Sequence, residues 1–259
     1  MEMNKLMVIC AAAIIGAIVV IANTAGEVRQ VSNIDYNNGK YTGKVNANNL
    51  PHGKGIFIFA DGVIYEGDFV DGIPHGKGKE THPDGYVYEG NYVSSLPNGK
   101  GKMTYPNGTV FEGNFVDGMP HGKGRMTYQN GVIYEGDFVD GIPHGKGKST
   151  FSDGAIYEGE VAEGEQHGKG RMLHPRGEIC EGNFANGALH GNGKMTYPSG
   201  RIYEGEFAKG LPNGKGKYTY RNGDIYEGDV VDGIQHGKGR MTYPNGTVFE
   251  GDFVDGEPH

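Results

Sequence analysis

Cysteine is scarce, with Cys10 and Cys180 the only two in 259 residues. A pair so placed, one in an apolar leader and one in the body of the chain, builds neither a disulfide framework nor a zinc site. Glu178 and Glu181 surround Cys180 with acid, the opposite of the electropositive setting a reactive thiol needs. Positive charge is also short. Against 32 acids stand 24 lysines and arginines, a formal charge of −8, and no basic run reaches five residues, which argues against a nucleic-acid partner held by phosphate neutralisation. Beyond the leader no stretch keeps helical periodicity over ten residues or more. Gly145-Lys146-Gly147-Lys148-Ser149-Thr150 is a superficial phosphate loop only. Its required first glycine would sit where the chain has Ile142, and no helix follows. The acids fall in a regular column, with no two set apart as an acid–base couple would be, so the chain offers no catalytic, cofactor or metal residues.

What is abundant is glycine, 48 residues, and it is placed with a period. The segment Tyr65-Glu66-Gly67-Asp68-Phe69-Val70-Asp71-Gly72-Ile73-Pro74-His75-Gly76-Lys77-Gly78 returns every 23 residues, its signature starting at Tyr65, Tyr88, Phe111, Tyr134, Tyr157, Cys180, Tyr203, Tyr226 and Phe249. A degenerate copy opens at Tyr41-Thr42-Gly43. Self-similarity at a fixed interval defines a repeat array before any other reading. The repeat's structural signature comprises the aromatic and the glycine two residues on: Tyr65 and Gly67, Tyr88 and Gly90, Phe111 and Gly113, Tyr134 and Gly136, Tyr157 and Gly159, Tyr203 and Gly205, Tyr226 and Gly228, Phe249 and Gly251.

One copy, Gly101 to Phe115, reads as two alternating runs around Pro106-Asn107-Gly108, a hairpin signal. A two-residue turn would place Met103 opposite Glu112 and waste the charges. A type I turn with Gly108 left-handed in a bulge instead pairs Tyr105 with Thr109, Met103 with Phe111 and Lys102 with Glu112, which matches chemistry across the strands. In that register Gly101, Met103, Tyr105, Phe111, Gly113 and Phe115 share one face, and Lys102, Thr104, Val110, Glu112 and Asn114 the other. The glycine between two aromatics leaves a gap for a ring from a neighbouring hairpin. Val116 to Gly124 then reads as a linker. A one-layer sheet would expose the aromatics of nine hairpins, so part of that face must be covered by curling, self-association or a partner. Replacing Cys180 with tyrosine is expected to stabilise the array by restoring a ring.

The histidines at 52, 75, 121, 144, 167, 190 and 236 form one column. Equivalent residues of successive hairpins stand roughly 10 Å apart, too far to share a metal whose ligands lie within about 2 Å of it. His82 and His174 stand in a column of rings (Phe59, Tyr105, Tyr128, Tyr197), where they are expected to pack as rings.

Ahead of the array, Leu6 to Ala22 is a 17-residue apolar run with Lys5 before it. Its length lies between a signal-peptide core and a membrane span, and Val20 and Ala22 suit a cleavage site, so signal peptide and hydrophobic anchor helix both stay open. The domains expected are 1–22, signal peptide or membrane anchor; 23–40, a polar, poorly ordered linker; and 41–259, the array. The chain is expected to be membrane-associated or secreted through this leader. The last residues, Asp255 to His259, stop inside a repeat, with no appended enzyme expected after them.

The aromatic-Glu-Gly-x-aromatic signature followed by His-Gly-x-Gly over residues 41 to 259 resembles the MORN repeat (membrane occupation and recognition nexus). Departures are Cys180 for the aromatic and Asn98 and Asn213 for the histidine, which put single repeats in doubt. The resemblance implies an all-β fold: an elongated single-layer antiparallel sheet of nine to ten hairpins behind the leader helix. It also implies a non-catalytic scaffold or adaptor used for membrane association or the positioning of partners; the exposed aromatic face and the unpaired sheet edges are where protein or membrane lipid is expected to bind, and the edges leave self-association open. The alternative it leaves open is a regulatory or substrate-presenting module for a separate methyltransferase or phosphoinositide kinase.

Overall fold

Two kinds of turn alternate along the chain, and each follows from its residues. At Pro106-Asn107-Gly108 the Tyr105 N–H donates to the Thr109 carbonyl (2.8 Å) and the Gly108 N–H to the Tyr105 carbonyl (2.9 Å). Gly108 sits at φ +82°. This is the three-residue loop with a left-handed glycine that the cross-strand chemistry called for. The pairings Lys102 with Glu112 and Met103 with Phe111 follow from it. The second turn lies where the sequence reading placed a linker. Val116 pairs directly with Met119 across Asp117 and Gly118, both at positive φ (47° and 86°), a two-residue type I′ turn. The linker reading is therefore corrected: Met119 to Gly124 belongs to a strand. Asp-Gly is a strong I′ signal, and the interposed His-Gly-Lys hid it.

The computed structural model describes residues 28–259, and the leader reading at 1–22 lies outside them. Among the described residues there are 21 strands, antiparallel in hairpin succession, and no helix. No helix there is long and apolar enough to cross a membrane. Two compact units divide the chain: one runs to Gln129 and includes Phe138–Gly141, the other holds Asn130–Asp137 and Ile142–His259. The first contains β1 (Arg29–Tyr36), β2 (Gly39–Val45), β3 (Pro51–Phe59), β4 (Ile64–Val70), β5 (Ile73–Thr81), β6 (Val87–Val93), β7 (Leu96–Thr104), β8 (Val110–Val116) and β9 (Met119–Thr127). The strand β10 (Ile133–Val139) is shared between them. The second continues with β11 (Ile142–Thr150), β12 (Ile156–Ala162), β13 (Glu165–Leu173), β14 (Ile179–Ala185), β15 (Ala188–Thr196), β16 (Ile202–Ala208), β17 (Leu211–Thr219), β18 (Ile225–Val231), β19 (Ile234–Thr242), β20 (Val248–Val254) and β21 (Glu257–Pro258). The expectation of a poorly ordered 23–40 segment is corrected for its described part, since Arg29 to Tyr36 pairs along β2.

From β2 to β9 and from β11 to β20 each pair of neighbouring strands carries a facing glycine pair. In the first unit Gly43, Gly55, Gly67, Gly78, Gly90, Gly101, Gly113 and Gly124 face one another in succession across the sheet. The second repeats the row from Gly147 to Gly251. Beside the row the long strand of each repeat bulges. Gly67 pairs with Gly78 and Phe69 with Pro74, so His75, Gly76 and Lys77 stand opposite Asp68 alone. Gly76 takes φ +81° there, and the Asp68 carboxylate accepts from the Lys77 N–H at 3.1 Å.

The core is the glycine-bearing face. Tyr65, Tyr88, Phe111, Tyr157, Tyr203 and Tyr226 are buried, as are the second aromatics Phe69, Tyr92, Phe115 and Phe253 and the methionines Met103, Met126 and Met172. Pro74 and Pro120 close the same face at the turn end.

Candidate interaction surface

The signature residues come together as a ring cradle within the chain. Tyr65 lies along its own strand over Gly67, reaches across to Gly78, and donates its hydroxyl to the Asp68 carbonyl at 3.1 Å. A methyl built on Gly67 would stand 2.7 Å from that hydroxyl and 2.5 Å from the Gly78 Cα, which is why both positions must be glycine. The sequence reading gave this gap to a ring of a neighbouring hairpin. The occupant is instead the repeat's own first aromatic, and neighbouring rings meet it edge-on. Tyr65 packs T-shaped on Phe69 (5.0 Å) and on Tyr92 of the next repeat (5.1 Å). Tyr88 with Tyr92 and Phe115, and Phe111 with Phe115 and Phe138, repeat the geometry. Such pairs add about 0.5–1.5 kcal/mol each beyond burial.

The hydroxyl bond to the carbonyl three residues on recurs at Tyr41 (2.7 Å), Tyr88 (2.9 Å), Tyr157 (2.6 Å), Tyr203 (3.0 Å) and Tyr226 (2.6 Å). Burial pushes each of these five phenols up to about 12. Phe249, on β20, is half-buried, and its ring comes within 2.8 Å of a methyl built on Gly251.

This burial corrects the expected role of the aromatic face. Its rings are covered by glycine backbone, proline and one another within a single chain, so they form the core and are not a docking face. The same layer holds a buried carboxylate. Glu80 is buried where Met103 and Met126 stand in other repeats, across from Tyr65 and Tyr88. It pairs with His82, whose ring stacks edge-on against Tyr86 at 4.8 Å. His82 thus packs as a ring, as its column suggested, and also serves as partner to a buried carboxylate.

At Cys180 the cradle is filled differently. The thiol is buried, and burial, with Glu178 second, pushes it up to about 11, the opposite of a reactive cysteine. With no ring at this position, Leu189 lies over the glycine pair, its Cδ1 3.1 Å from a methyl built on Gly182 and 3.3 Å from one on Gly193. Other repeats carry Pro74, Pro97, Pro120, Pro143 or Pro212 where this one has Leu189. The expectation that a tyrosine at 180 stabilises overlooked this compensation.

The exposed periodic surface is the opposite face. Along each strand pair a lysine or arginine meets the signature glutamate: Lys102–Glu112 at 2.7 Å, Lys148–Glu158 at 2.9 Å, Lys194–Glu204 at 3.1 Å and Arg171–Glu181 at 3.2 Å. Lys102, by hydrogen bond and charge, holds the Glu112 carboxyl below the usual carboxylate range. A second row joins Lys54 to Asp68 (3.4 Å), Lys215 to Asp229 (2.5 Å) and Lys238 to Asp252 (3.0 Å). Exposed pairs of this kind stabilise weakly, so the rows shape a surface more than they hold the fold.

At the type I′ turns, His52 reaches Asp71 (3.3 Å) and His121 reaches Asp140 (3.5 Å), each joining one repeat to the turn of the next. Asn213 makes the same reach, Nδ2 donating to Asp232 at 3.0 Å, so that departure keeps its repeat intact. Among the described residues no three His, Cys, Asp or Glu side chains group as metal ligands. Sequence reasoning missed two features: the acid or amide after each signature glycine, which caps the bulge, and the apolar pair that brackets successive turns of the first unit. Both were visible as columns, at Asp68, Asn91, Asn114 and Asp137 and at Val70/Ile73, Val93/Leu96 and Val116/Met119.

Comparison with known families gives matches to the MORN repeat at residues 47–64, 65–85, 88–110, 111–133, 134–156, 157–179, 180–200, 203–225, 226–248 and 249–259. No curated protein matches the chain. Among solved structures, similarity is found to the TCP domain of Drosophila melanogaster SAS-4 (dCPAP) in complex with a proline-rich motif of Ana2. It is 18% identical over 69% of this chain and 90% of that one, with a TM-score of 0.40. The TCP10 domain of Danio rerio CPAP in complex with a STIL peptide is 15% identical over 88% of this chain and all of that one, with a TM-score of 0.39. With ten consecutive matches covering residues 47–259, the chain belongs to the MORN-repeat family.

Proposed function

We propose that the protein is a non-catalytic scaffold that docks protein partners on the charged face of its hairpin array. One observation carries this reading: the aromatic face is consumed by the core, so the regular, rigidly spaced surface offered to the outside is the face of paired charges and turn residues. Every recurring residue type has a structural account there, as cradle, bulge cap or ion pair, and none is left over as a nucleophile or acid–base couple. Rigid periodic surfaces suit the positioning of extended partners.

Membrane attachment is proposed for the leader and not for the array. Lysines such as Lys54, Lys102, Lys148 and Lys238 pair with acids and the net charge is −8, whereas attraction to anionic lipid gives only about 1 kcal/mol per free basic residue. An uncleaved Leu6–Ala22 run would hold the chain far more firmly.

Photo-cross-linking tests the docking reading. A photoreactive residue at Glu112 or Glu204, on the charged face of the full chain expressed in its source, should yield discrete protein adducts; one at buried Met103 should yield none. Absence of protein adducts from every charged-face position contradicts the scaffold role. Partition of the full chain and of one starting at Asn23 onto anionic vesicles tests the leader, and equal, salt-resistant binding of the shorter chain overturns that assignment.

A further inference from the structure

The surface of the first unit carries one feature that its stability does not use. Val70 and Ile73, Val93 and Leu96, and Val116 and Met119 pair across successive type I′ turns on the charged face. Val70, Ile73, Val93, Val116, Met119 and Val139 all remain 38–47% exposed. The turns that bear them are tied into a row. Ser95 N–H donates to the Pro74 carbonyl (2.9 Å), Gly118 to Pro97 (2.8 Å) and Gly141 to Pro120 (2.8 Å). The apolar pairs are thus held in a fixed stripe along one margin of the sheet.

Strand propensity does not require them. In the second unit three of these turns read Ala162/Glu165, Ala185/Ala188 and Ala208/Leu211, only Val231/Ile234 keeping the pair of the first unit, and the hairpins form with the same pairing. The stripe is therefore a property of particular repeats, and contiguous exposed apolar residues of this kind mark contact sites.

The charges bordering the stripe indicate what covers it. Asp71, Asp117 and Asp140 project at the turns, and all three are exposed. Inward of it Lys54 and Lys102 are held by Asp68 and Glu112, Lys77 and Lys100 stand opposite Asn91 and Asn114, and His52 and His121 reach Asp71 and Asp140 from the neighbouring repeat. The margin is apolar with an acidic rim, which repels anionic lipid and attracts a basic polypeptide.

We propose that this stripe, Val70 to Met119 with its rim of Asp71, Asp117 and Asp140, is the docking site for a basic segment of a partner protein whose apolar side chains recur about every third residue. Successive hairpins lie two strands apart, roughly 10 Å, which an extended chain covers in about three residues. The proposal rests on the scaffold reading and names the part of the charged face that reading uses.

The test uses the full chain and a labelled peptide of about fifteen residues, with leucine at every third position and lysine between, followed by fluorescence anisotropy. The double variant V93T/V116T keeps β-branched residues in both strands and removes only apolar contact. It should weaken peptide binding about tenfold with an unchanged melting curve. The variant V231T, outside the stripe, should bind like the parent. D117N/D140N should weaken binding chiefly at low salt. Equal affinity for V93T/V116T and parent overturns the proposal. So does equal binding of a peptide with the same composition and its leucines clustered, or adsorption to anionic vesicles that V93T/V116T abolishes. Photo-adducts that map to the charged face away from Val70–Met119 would end this proposal while leaving the scaffold reading in place.

Discussion

Replacing Cys180 with tyrosine should destabilise the protein, although eight other repeats carry a ring at that position. The cradle there is already full: Leu189 Cδ1 stands 3.1 Å from a methyl built on Gly182 and Cδ2 3.2 Å from one on Gly193, on the ground a ring would occupy. Leu189 is 2% exposed and stands across from Phe184, its buried cross-strand partner, so a ring at 180 would have to displace a packed side chain. Overpacking of this kind costs about 1–3 kcal/mol. Leu189→Pro alone empties the cradle and should cost about 2–4 kcal/mol in lost burial and cavity. Together, C180Y/L189P recreates the arrangement of Tyr65, Gly67, Gly78 and Pro74, so the double variant should be at least as stable as the parent. The coupling between the two changes should then reach about 2–3 kcal/mol, far above the scatter of independent sites. Denaturant unfolding followed by circular dichroism on the parent and three variants measures this. A C180Y protein more stable than its parent, or strictly additive changes, refutes the account of Leu189 as the ring's substitute.

Alkaline pH should unfold the array. Tyr41, Tyr88, Tyr157, Tyr203 and Tyr226 have phenols raised to about 12 in the fold against about 10 when unfolded. Their contribution is complete below pH 10 and lost as pH rises through 12, so tyrosinate absorbance and loss of β-structure should rise together in that window. Tyrosine ionisation well below it, with the fold intact, contradicts the cradle. Cys180, with its thiol raised to about 11, should resist alkylation at pH 8 until the protein unfolds, as peptide mass mapping would show; rapid labelling of the folded chain would count against its burial. Gly216→Ala, whose methyl meets the Tyr203 ring, should cost about 3 kcal/mol, whereas Gly85→Ala, at φ +95° with open space around it, should cost about 1 kcal/mol from backbone strain alone. Equal losses in thermal unfolding would show that the ring is not seated there.

The hairpin around Asn107 was legible because charge and ring pairs overdetermine it: only one loop length puts Lys102 against Glu112 and Met103 against Phe111 together. The second turn was harder to read, since the bulge at His75-Gly76-Lys77 breaks the alternation that marks a strand. Burial of the rings could not be read from alternation at all. It depends on Tyr65 lying down over Gly67 and Gly78, a rotamer and register effect that a face assignment omits, and so the aromatic face looked available for partners. Cys180 looked like an eroded ring site because its compensation, Leu189, sits nine residues away and only the strand pairing brings the two together.

Hydroxyl-radical footprinting of the full-length protein tests most directly whether the array closes its own aromatic face and leaves the charged face for partners. Tyr65, Tyr88, Phe111, Tyr203 and Tyr226 should be protected to near the level of a folded core, while Val70, Val93, Val116 and Met119 are modified at rates close to those of the unfolded chain. Rings modified as fast as the exposed valines would mean that the aromatic face stands open, and the assignment of partner binding to the charged face would fall with it.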